Sequence, residues 1–194
     1  MKLTERSVSD LLADFRSSDP TPGGGSAAAL AGAVGASLLA MVAALPKPKA
    51  SADQDVARLR QAGDRCTDLA LQLEMLVNRD SEAYDLVVGA YRMPKTTDEE
   101  KTARTAGIQS ALKVATEAPL DVMRRCRDAL ALAPIVGEFG NTNASSDVKV
   151  AIGLLRAGLA GARENVEINL GSVKDTDYVH KVHHEVRTLC ASES

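Results

Sequence analysis

Apolar residues recur every three or four positions along almost the whole chain, the spacing of residues on one side of an α-helix. No alternating apolar and polar run long enough for a strand interrupts this pattern. The spacing predicts helices over about 8–15, 26–45, 51–93, 97–134, 147–166 and 176–189. We therefore predict an all-α fold, a helical bundle of about six helices with a long central helix pair.

Several residues mark the expected helix ends. Ser26 stands where it can cap the second helix, and two capping-box patterns open the third and fourth helices, Ser51 with Gln54 and Thr97 with Glu100. Pro119 is expected to kink the fourth helix. A polar loop over 137–146 is expected to follow Pro134.

The second predicted helix is the least polar part of the chain. It carries no charge over 26–45 and is about long enough to span a bilayer. Much of it is Ala, Gly and Ser, which insert weakly, and Gly32 and Gly35 provide a smooth face for a neighbouring helix. We interpret it as a buried central helix, with a membrane span as the alternative.

Composition narrows the class of protein. A length of 194 residues fits a single domain over 1–194, or one such domain that dimerises. The chain has 23 basic and 26 acidic residues, so charge gives no reason to expect nucleic acid or a membrane as partner. Three widely spaced cysteines, Cys66, Cys126 and Cys190, and the lack of an apolar N-terminal segment predict reduced thiols and a cytoplasmic location.

The first candidate site is the proline- and glycine-rich run that precedes the second helix. Prolines fix the backbone, and glycines leave the main chain bare, so that a ligand can approach the free N–H groups of the helix start. The residues concerned are Pro22, Gly23, Gly24, Gly25 and Ser26. The run lacks the pattern of a P-loop or of a dinucleotide-binding loop. It suits an anionic or carbonyl-bearing ligand, and a simple helix-entry turn is the alternative.

A carboxylate interrupts the apolar face of the third helix. Leucines and small residues recur there at alternate spacings of three and four, from Leu59 to Leu76, and the next position on this face is Asp80. A carboxylate on a buried face must be paired, protonated or next to a cavity, and burial raises its pKa into the range of a general acid or base. The alternative is a small change of helical phase that lets Asp80 pair with Arg79 or another surface cation.

Polar side chains also gather between 140 and 147. Asn141 and Asn143 offer hydrogen-bond donors and acceptors, and Asp147 opens the fifth helix. A capped helix start explains some of this chemistry, and a ligand site is the alternative. Asn165 and Asn169, one turn apart, are amides that join helices or contact a ligand.

Lys95 and the three histidines of the last helix are weaker candidates for a functional site. Lys95, just after Pro94, could meet an anionic ligand. Three histidines share the last predicted helix, His180, His183 and His184. Histidines four apart can bind a metal, but we interpret these as a solvated helix end and predict no metal site.

Five segments in order along the chain carry a family resemblance. They are Asp19-Pro20-Thr21-Pro22-Gly23-Gly24-Gly25-Ser26, Asp80-Ser81-Glu82-Ala83-Tyr84, Ala90-Tyr91-Arg92-Met93-Pro94-Lys95, Gly140-Asn141-Thr142-Asn143 with Ser146-Asp147, and Asn165-Val166-Glu167-Ile168-Asn169-Leu170. Together they resemble the cyclodeaminase/cyclohydrolase family, the all-α half of formiminotransferase-cyclodeaminase. The resemblance implies a dimeric helical bundle that acts on folates.

The resemblance implies one of two reactions: closure of 5-formiminotetrahydrofolate to 5,10-methenyltetrahydrofolate with loss of ammonia, or hydrolysis of the methenyl form to 10-formyltetrahydrofolate. For either reaction, our hypothesis assigns proton transfer to Asp80, with Asp147 as a second carboxylate or as a group that orients the pterin. Substrate contacts would come from Pro22 to Ser26, Tyr84, Asn141, Asn143 and Asn165, and Lys95 would meet polyglutamate carboxylates. No cofactor beyond tetrahydrofolate is expected. A non-catalytic folate-binding dimer is the alternative from another class.

Overall fold

Six α-helices make up the fold. The computed structural model describes residues 2–46 and 48–191, and these contain no strand. The helices are α1 (Val8–Phe15), α2 (Gly24–Ala44), α3 (Asp53–Tyr91), α4 (Asp98–Phe139), α5 (Ser145–Leu170) and α6 (Thr176–Cys190), with single 3-10 turns at Leu3–Glu5 and Thr142–Ala144. The all-α prediction is confirmed.

The core forms where α2 packs between its neighbours. The two longest helices, α3 and α4, pack against each other, and α2 contacts α3, α4 and α5. The predicted face of α3 is buried throughout, at Leu59, Ala62, Cys66, Leu69, Leu73 and Leu76. The 3.6-residue period therefore identified the side of α3 that faces the core.

Small residues let α2 and α5 cross closely. A methyl group on Gly158 would lie 2.8 Å from the carbonyl oxygen of Ala28, and one on Gly35 would lie 2.9 Å from that of Ala151. By length and mean hydropathy of 2.0, α2 could cross a membrane. In this fold ten of its residues are buried, as expected of a central helix in a bundle.

Two predicted helix starts need correction. The N-cap of α2 is Gly23, and Ser26 lies inside the helix. The N-cap of α3 is Ala52, which receives no side-chain hydrogen bond, so the Ser51 and Gln54 capping box does not form. The Thr97 and Glu100 box is confirmed.

The fourth helix also runs further than predicted. It passes through Pro134 and ends at Phe139, so the polar loop begins at Gly140. Ala133 and Val136 on this last stretch are buried. Their packing offsets the backbone hydrogen bond that a proline inside a helix removes.

Charged side chains attach the last helix to α4. The guanidinium of Arg124 donates to Glu185 of α6 at 2.6 Å and to Asp121 at 2.9 Å. The hydroxyl of Tyr178 on α6 donates to Glu117 at 3.0 Å. These contacts hold α6 against α4.

Candidate active site

The first turn of α2 binds the carboxylate of Asp80. The backbone N–H of Ser26 donates to Asp80 Oδ2 at 2.9 Å, and the Ser26 hydroxyl lies 3.1 Å from the same oxygen. A methyl group on Gly25 would overlap this carboxylate. Glycine is therefore required where the helix start and the carboxylate meet. The anion that the glycine run accommodates is part of the protein itself.

Burial controls the charge of this carboxylate. Desolvation raises the pKa of Asp80, and the hydrogen bonds from the hydroxyl and N–H of Ser26 offset part of that rise. Arg79 pairs instead with Asp121, 3.4 Å away. The prediction of a raised pKa is confirmed and the alternative pairing with Arg79 is wrong, because the α3 face stays in phase through Asp80 and directs Arg79 elsewhere.

A second hydroxyl continues from this contact toward the surface. The Ser81 Oγ lies 3.3 Å from the Ser26 Oγ. Ser26 is completely buried, whereas Ser81 lines an open recess of about 350 Å³ together with Thr21, Pro22 and Asn78. In the sequence, Ser81 was part of the Asp80–Tyr84 segment but was assigned no role. Its position directly after Asp80, which interrupts the apolar face of α3, could have indicated one.

Asn165 approaches the same turn from α5. A methyl group on Gly24 would lie 3.3 Å from Asn165 Nδ2, and that nitrogen donates to the carbonyl of Gly161 at 2.8 Å. The neighbouring amide of Asn169 donates to the Ala115 carbonyl on α4 at 2.8 Å. Asn169 thus joins two helices, and Asn165 stays a predicted ligand contact at the edge of the site.

Two other candidates lie on the exposed side of this region. Tyr84 follows Asp80 by one helical turn and is exposed. Lys95 is exposed in the link between α3 and α4. Since α3 runs past Asp80 to Tyr91, this link lies about 16 Å beyond the carboxylate along the helix axis.

The remaining candidates lie at the other end of α2. The Asn141 side chain donates to the Pro46 carbonyl at 2.7 Å, just after α2 ends, and its oxygen accepts from the N–H of Asn143 at 2.9 Å. Asp147 is in the first turn of α5 beside them. A helix of 21 residues separates its two ends by about 30 Å.

One cleft within a single chain therefore cannot contain all the predicted residues. Within one chain, Asn141 and Asn143 cannot meet the same substrate as Asp80, because α2 separates them along its whole length. The same holds for Asp147 as a second carboxylate beside Asp80. A role for these three residues at the same substrate remains a prediction that requires a second subunit.

The histidines of α6 do not gather around a common point. His183 Nδ1 lies 3.5 Å from a carboxylate oxygen of Glu167 on α5, while His180 and His184 are exposed. Over residues 2–46 and 48–191, no three His, Cys, Asp or Glu side chains are placed to hold a metal ion.

Comparison with known proteins connects this geometry to a family. The sequence model of formiminotransferase-cyclodeaminase matches residues 7–188. The chain belongs to this family.

Relatives within the family differ in length and in activity. A methenyltetrahydrofolate cyclohydrolase of Methylorubrum extorquens is 43% identical over 95% of this chain and 88% of its own length. The formimidoyltransferase-cyclodeaminase of Rattus norvegicus is 30% identical over 96% of this chain but 35% of its own length. The crystal structure of a formiminotetrahydrofolate cyclodeaminase from Thermotoga maritima has a TM-score of 0.85, with 27% identity over 98% of this chain and 91% of its own.

Proposed function

We propose that this protein is a folate-dependent one-carbon enzyme that hydrolyses 5,10-methenyltetrahydrofolate to 10-formyltetrahydrofolate. The single observation that carries the chemistry is the half-buried carboxylate of Asp80 at the glycine-rich start of α2. The choice of reaction rests on the cyclohydrolase relative, whose similarity extends over nearly the whole of both chains.

The carboxylate suits the charge changes of this hydrolysis. Water attacks the cationic methenyl carbon, and a base must accept a proton from that water. An ionised Asp80 can act as this base and can stabilise the positive charge of the substrate in a site of low dielectric. Burial raises the pKa of Asp80, which makes its carboxylate a stronger base than an exposed one.

The second candidate is the deaminase reaction, which the likeness to the Thermotoga maritima cyclodeaminase favours. Here N10 of the folate attacks the formimino carbon, and the departing nitrogen must be protonated before ammonia leaves. A protonated Asp80 would supply that proton, and its raised pKa increases the protonated fraction at neutral pH. The same residue thus serves either reaction in opposite protonation states.

Substrate contacts follow from the surroundings of Asp80. Since the Ser26 N–H is already bonded to Asp80, the N–H groups of Gly24 and Gly25 are the ones we assign to the ligand. Asn165 would contact the pterin from α5, and Tyr84 would lie against it from α3. Lys95 is our candidate for the glutamate carboxylates. No cofactor beyond tetrahydrofolate is proposed, because neither reaction transfers electrons.

We also propose that the protein is a homodimer, because an apolar groove of about 710 Å³ opens between α1, α2 and α3. Large side chains along it are exposed, including Val34 at 44% and Leu71 at 56%. A two-fold axis across α2 would set the two copies of this helix antiparallel. Asn141, Asn143 and Asp147 of one subunit would then approach the Asp80 region of the other.

Ultraviolet absorbance tests the proposal, because the methenyl form absorbs near-ultraviolet light and the formyl and formimino forms do not absorb in the same way. The protein is mixed with each folate in turn. Loss of the methenyl band indicates the hydrolase, and its appearance from the formimino form indicates the deaminase. Binding of folate without any change in the band would contradict both and favour a non-catalytic folate-binding dimer.

A further inference from the structure

Two serine hydroxyls connect the catalytic candidate to solvent. Ser26 Oγ lies 3.1 Å from Asp80 Oδ2 and 3.3 Å from Ser81 Oγ. Either serine can donate in the second contact, because a hydroxyl is both donor and acceptor and rotates freely. The hydrogen bonds of this pair can therefore reverse direction, which is a property that a proton path requires.

The outer end of the pair opens to a water-accessible recess. Ser81 lines this recess together with Asn78 and the charged side chains of Lys2, Glu82 and Asp85. The inner end is closed, since Ser26 has no exposed surface. A proton that leaves Asp80 through Ser26 thus emerges at Ser81, in a recess that Thr21 and Pro22 also line.

The proposed reaction needs such an exit, and this step of the argument depends on the proposed function. Hydrolysis adds one water to the methenyl carbon: a C–O bond forms, the bond from that carbon to N5 breaks, and N5 takes one proton. The cation becomes a neutral product, so one proton leaves for solvent in each turnover. A substrate seated over the first turn of α2 would cover Asp80, so the proton would leave through a second opening.

We propose that Ser26 and Ser81 form a proton path between Asp80 and the recess at Ser81. With Asp80 protonated, its O–H donates to Ser26, Ser26 donates to Ser81, and Ser81 donates to water, so that each oxygen gains one proton and loses one. The chain returns to its starting state when the hydroxyls rotate back. In the deaminase reaction the protons would move inward along the same pair.

The test replaces the outer hydroxyl and supplies protons in another way. Ser81→Ala keeps the helix and removes only the donor that faces the recess. In dilute buffer we expect its kcat to fall by about fivefold to tenfold, a fraction of what a direct acid or base contributes, with KM unchanged. Raising the concentration of imidazole should restore kcat, because a small buffer molecule can carry the proton instead.

Two variants serve as controls. Ser81→Thr retains a hydroxyl and should keep the wild-type kcat in dilute buffer. Ser110→Ala on the exposed side of α4 tests for a general effect of losing a serine. A Ser81→Ala enzyme that matches wild type at every buffer concentration would overturn the path, as would a raised KM without buffer rescue. A wild-type protein inactive on both folates would instead contradict the proposed function itself.

Discussion

The two ends of α2 use similar polar residues for different purposes. At its start, Gly25 and Ser26 hold the carboxylate of Asp80 out of bulk water, and the burial raises that carboxyl's pKa. At its far end, Asn141 joins the loop after α4 to the carbonyl of Pro46. The first arrangement leaves a charged group in an unfavourable environment, whereas the second satisfies backbone groups at a chain junction.

This difference separates chemistry from support within one chain. A carboxylate kept in a desolvated position retains reactivity that a solvated one lacks, and the start of α2 provides such a position. The other end could take part in catalysis only as a contribution to a second subunit. The following variants test whether the start of α2 carries the chemistry while its far end supports the fold.

The largest effect is expected from Asp80→Asn, which keeps the shape of the side chain and removes its ability to transfer a proton. We expect kcat to fall by about two to four orders of magnitude. Asp147→Asn at the other end of α2 is the comparison variant, because the proposed dimer would bring Asp147 of one subunit to the Asp80 region of the other. It should leave kcat near wild type if one chain holds the whole site. Steady-state kinetics on both folates measures the contrast, and a normal kcat for Asp80→Asn would remove that residue from proton transfer.

Thermal unfolding shows whether the Asp80→Asn protein remains intact. A carboxyl whose folded pKa is raised makes the protein less stable as pH increases from its unfolded pKa through its folded pKa. The Asn variant lacks this pH-dependent loss of stability. The difference between its melting temperature and that of wild type should therefore become more positive as pH rises. A variant that melts lower than wild type at every pH would point to a structural role instead.

If Asp147→Asn is also inactive, mixing the two variants tests a site shared between subunits. Random exchange of chains would give half the dimers one intact site of two, and hence about a quarter of wild-type activity. No recovery after exchange would contradict the shared site.

The next largest effect is expected from Gly25→Ala, because its methyl group would overlap the Asp80 carboxylate. The carboxylate must move, and misplacement by about an ångström can reduce a rate about 100-fold. The matched control is Gly153→Ala on α5, whose methyl group would meet nothing within 4 Å. Kinetics of the pair separates a steric effect at Asp80 from loss of glycine in a helix. Equal activities would contradict the close contact.

Sequence periodicity revealed the half of the site that depends on one helix. The buried face of α3 could be predicted from Leu59 to Asp80, because a 3.6-residue repeat can be recognised without knowing where the other segments lie. The bond between Ser26 and Asp80 joins residues 54 positions apart, and no local pattern encodes which serine meets which carboxylate.

The order of the helices could have indicated that Asn141 lies far from Asp80 within one chain. In an up-and-down bundle, alternate helix junctions lie at the same end. The link after α2 and the link after α4 therefore share one end, as the hydrogen bond from the Lys49 N–H to the Gly140 carbonyl shows. Counting junctions would have placed Lys95 with the start of α2, and Asn141 away from it.

Under imidazole concentrations that replace the proposed proton path, a smaller effect, mainly in pH dependence, is expected from Ser26→Ala. The Ser26 hydroxyl lowers the pKa of Asp80, so its removal raises that pKa further. For a hydrolase that needs ionised Asp80, the acidic limb of the kcat/KM profile moves to higher pH. For a deaminase that needs protonated Asp80, the alkaline limb moves to higher pH instead. Ser37→Ala, also on α2 and bonded only to its own helix at Ala33, should leave the profile unchanged.

The smallest effect on turnover is expected at the far end of α2. Asn141→Ala removes the 2.7 Å hydrogen bond to the Pro46 carbonyl and should lower the free energy of unfolding by about 1 kcal/mol. In a site formed by one chain, kcat and KM should match wild type, because about 30 Å of helix separates this loop from Asp80. Denaturant unfolding and steady-state kinetics measure the two quantities separately. A raised KM with unchanged stability would instead support the proposed dimer, in which this loop of one subunit approaches the Asp80 region of the other.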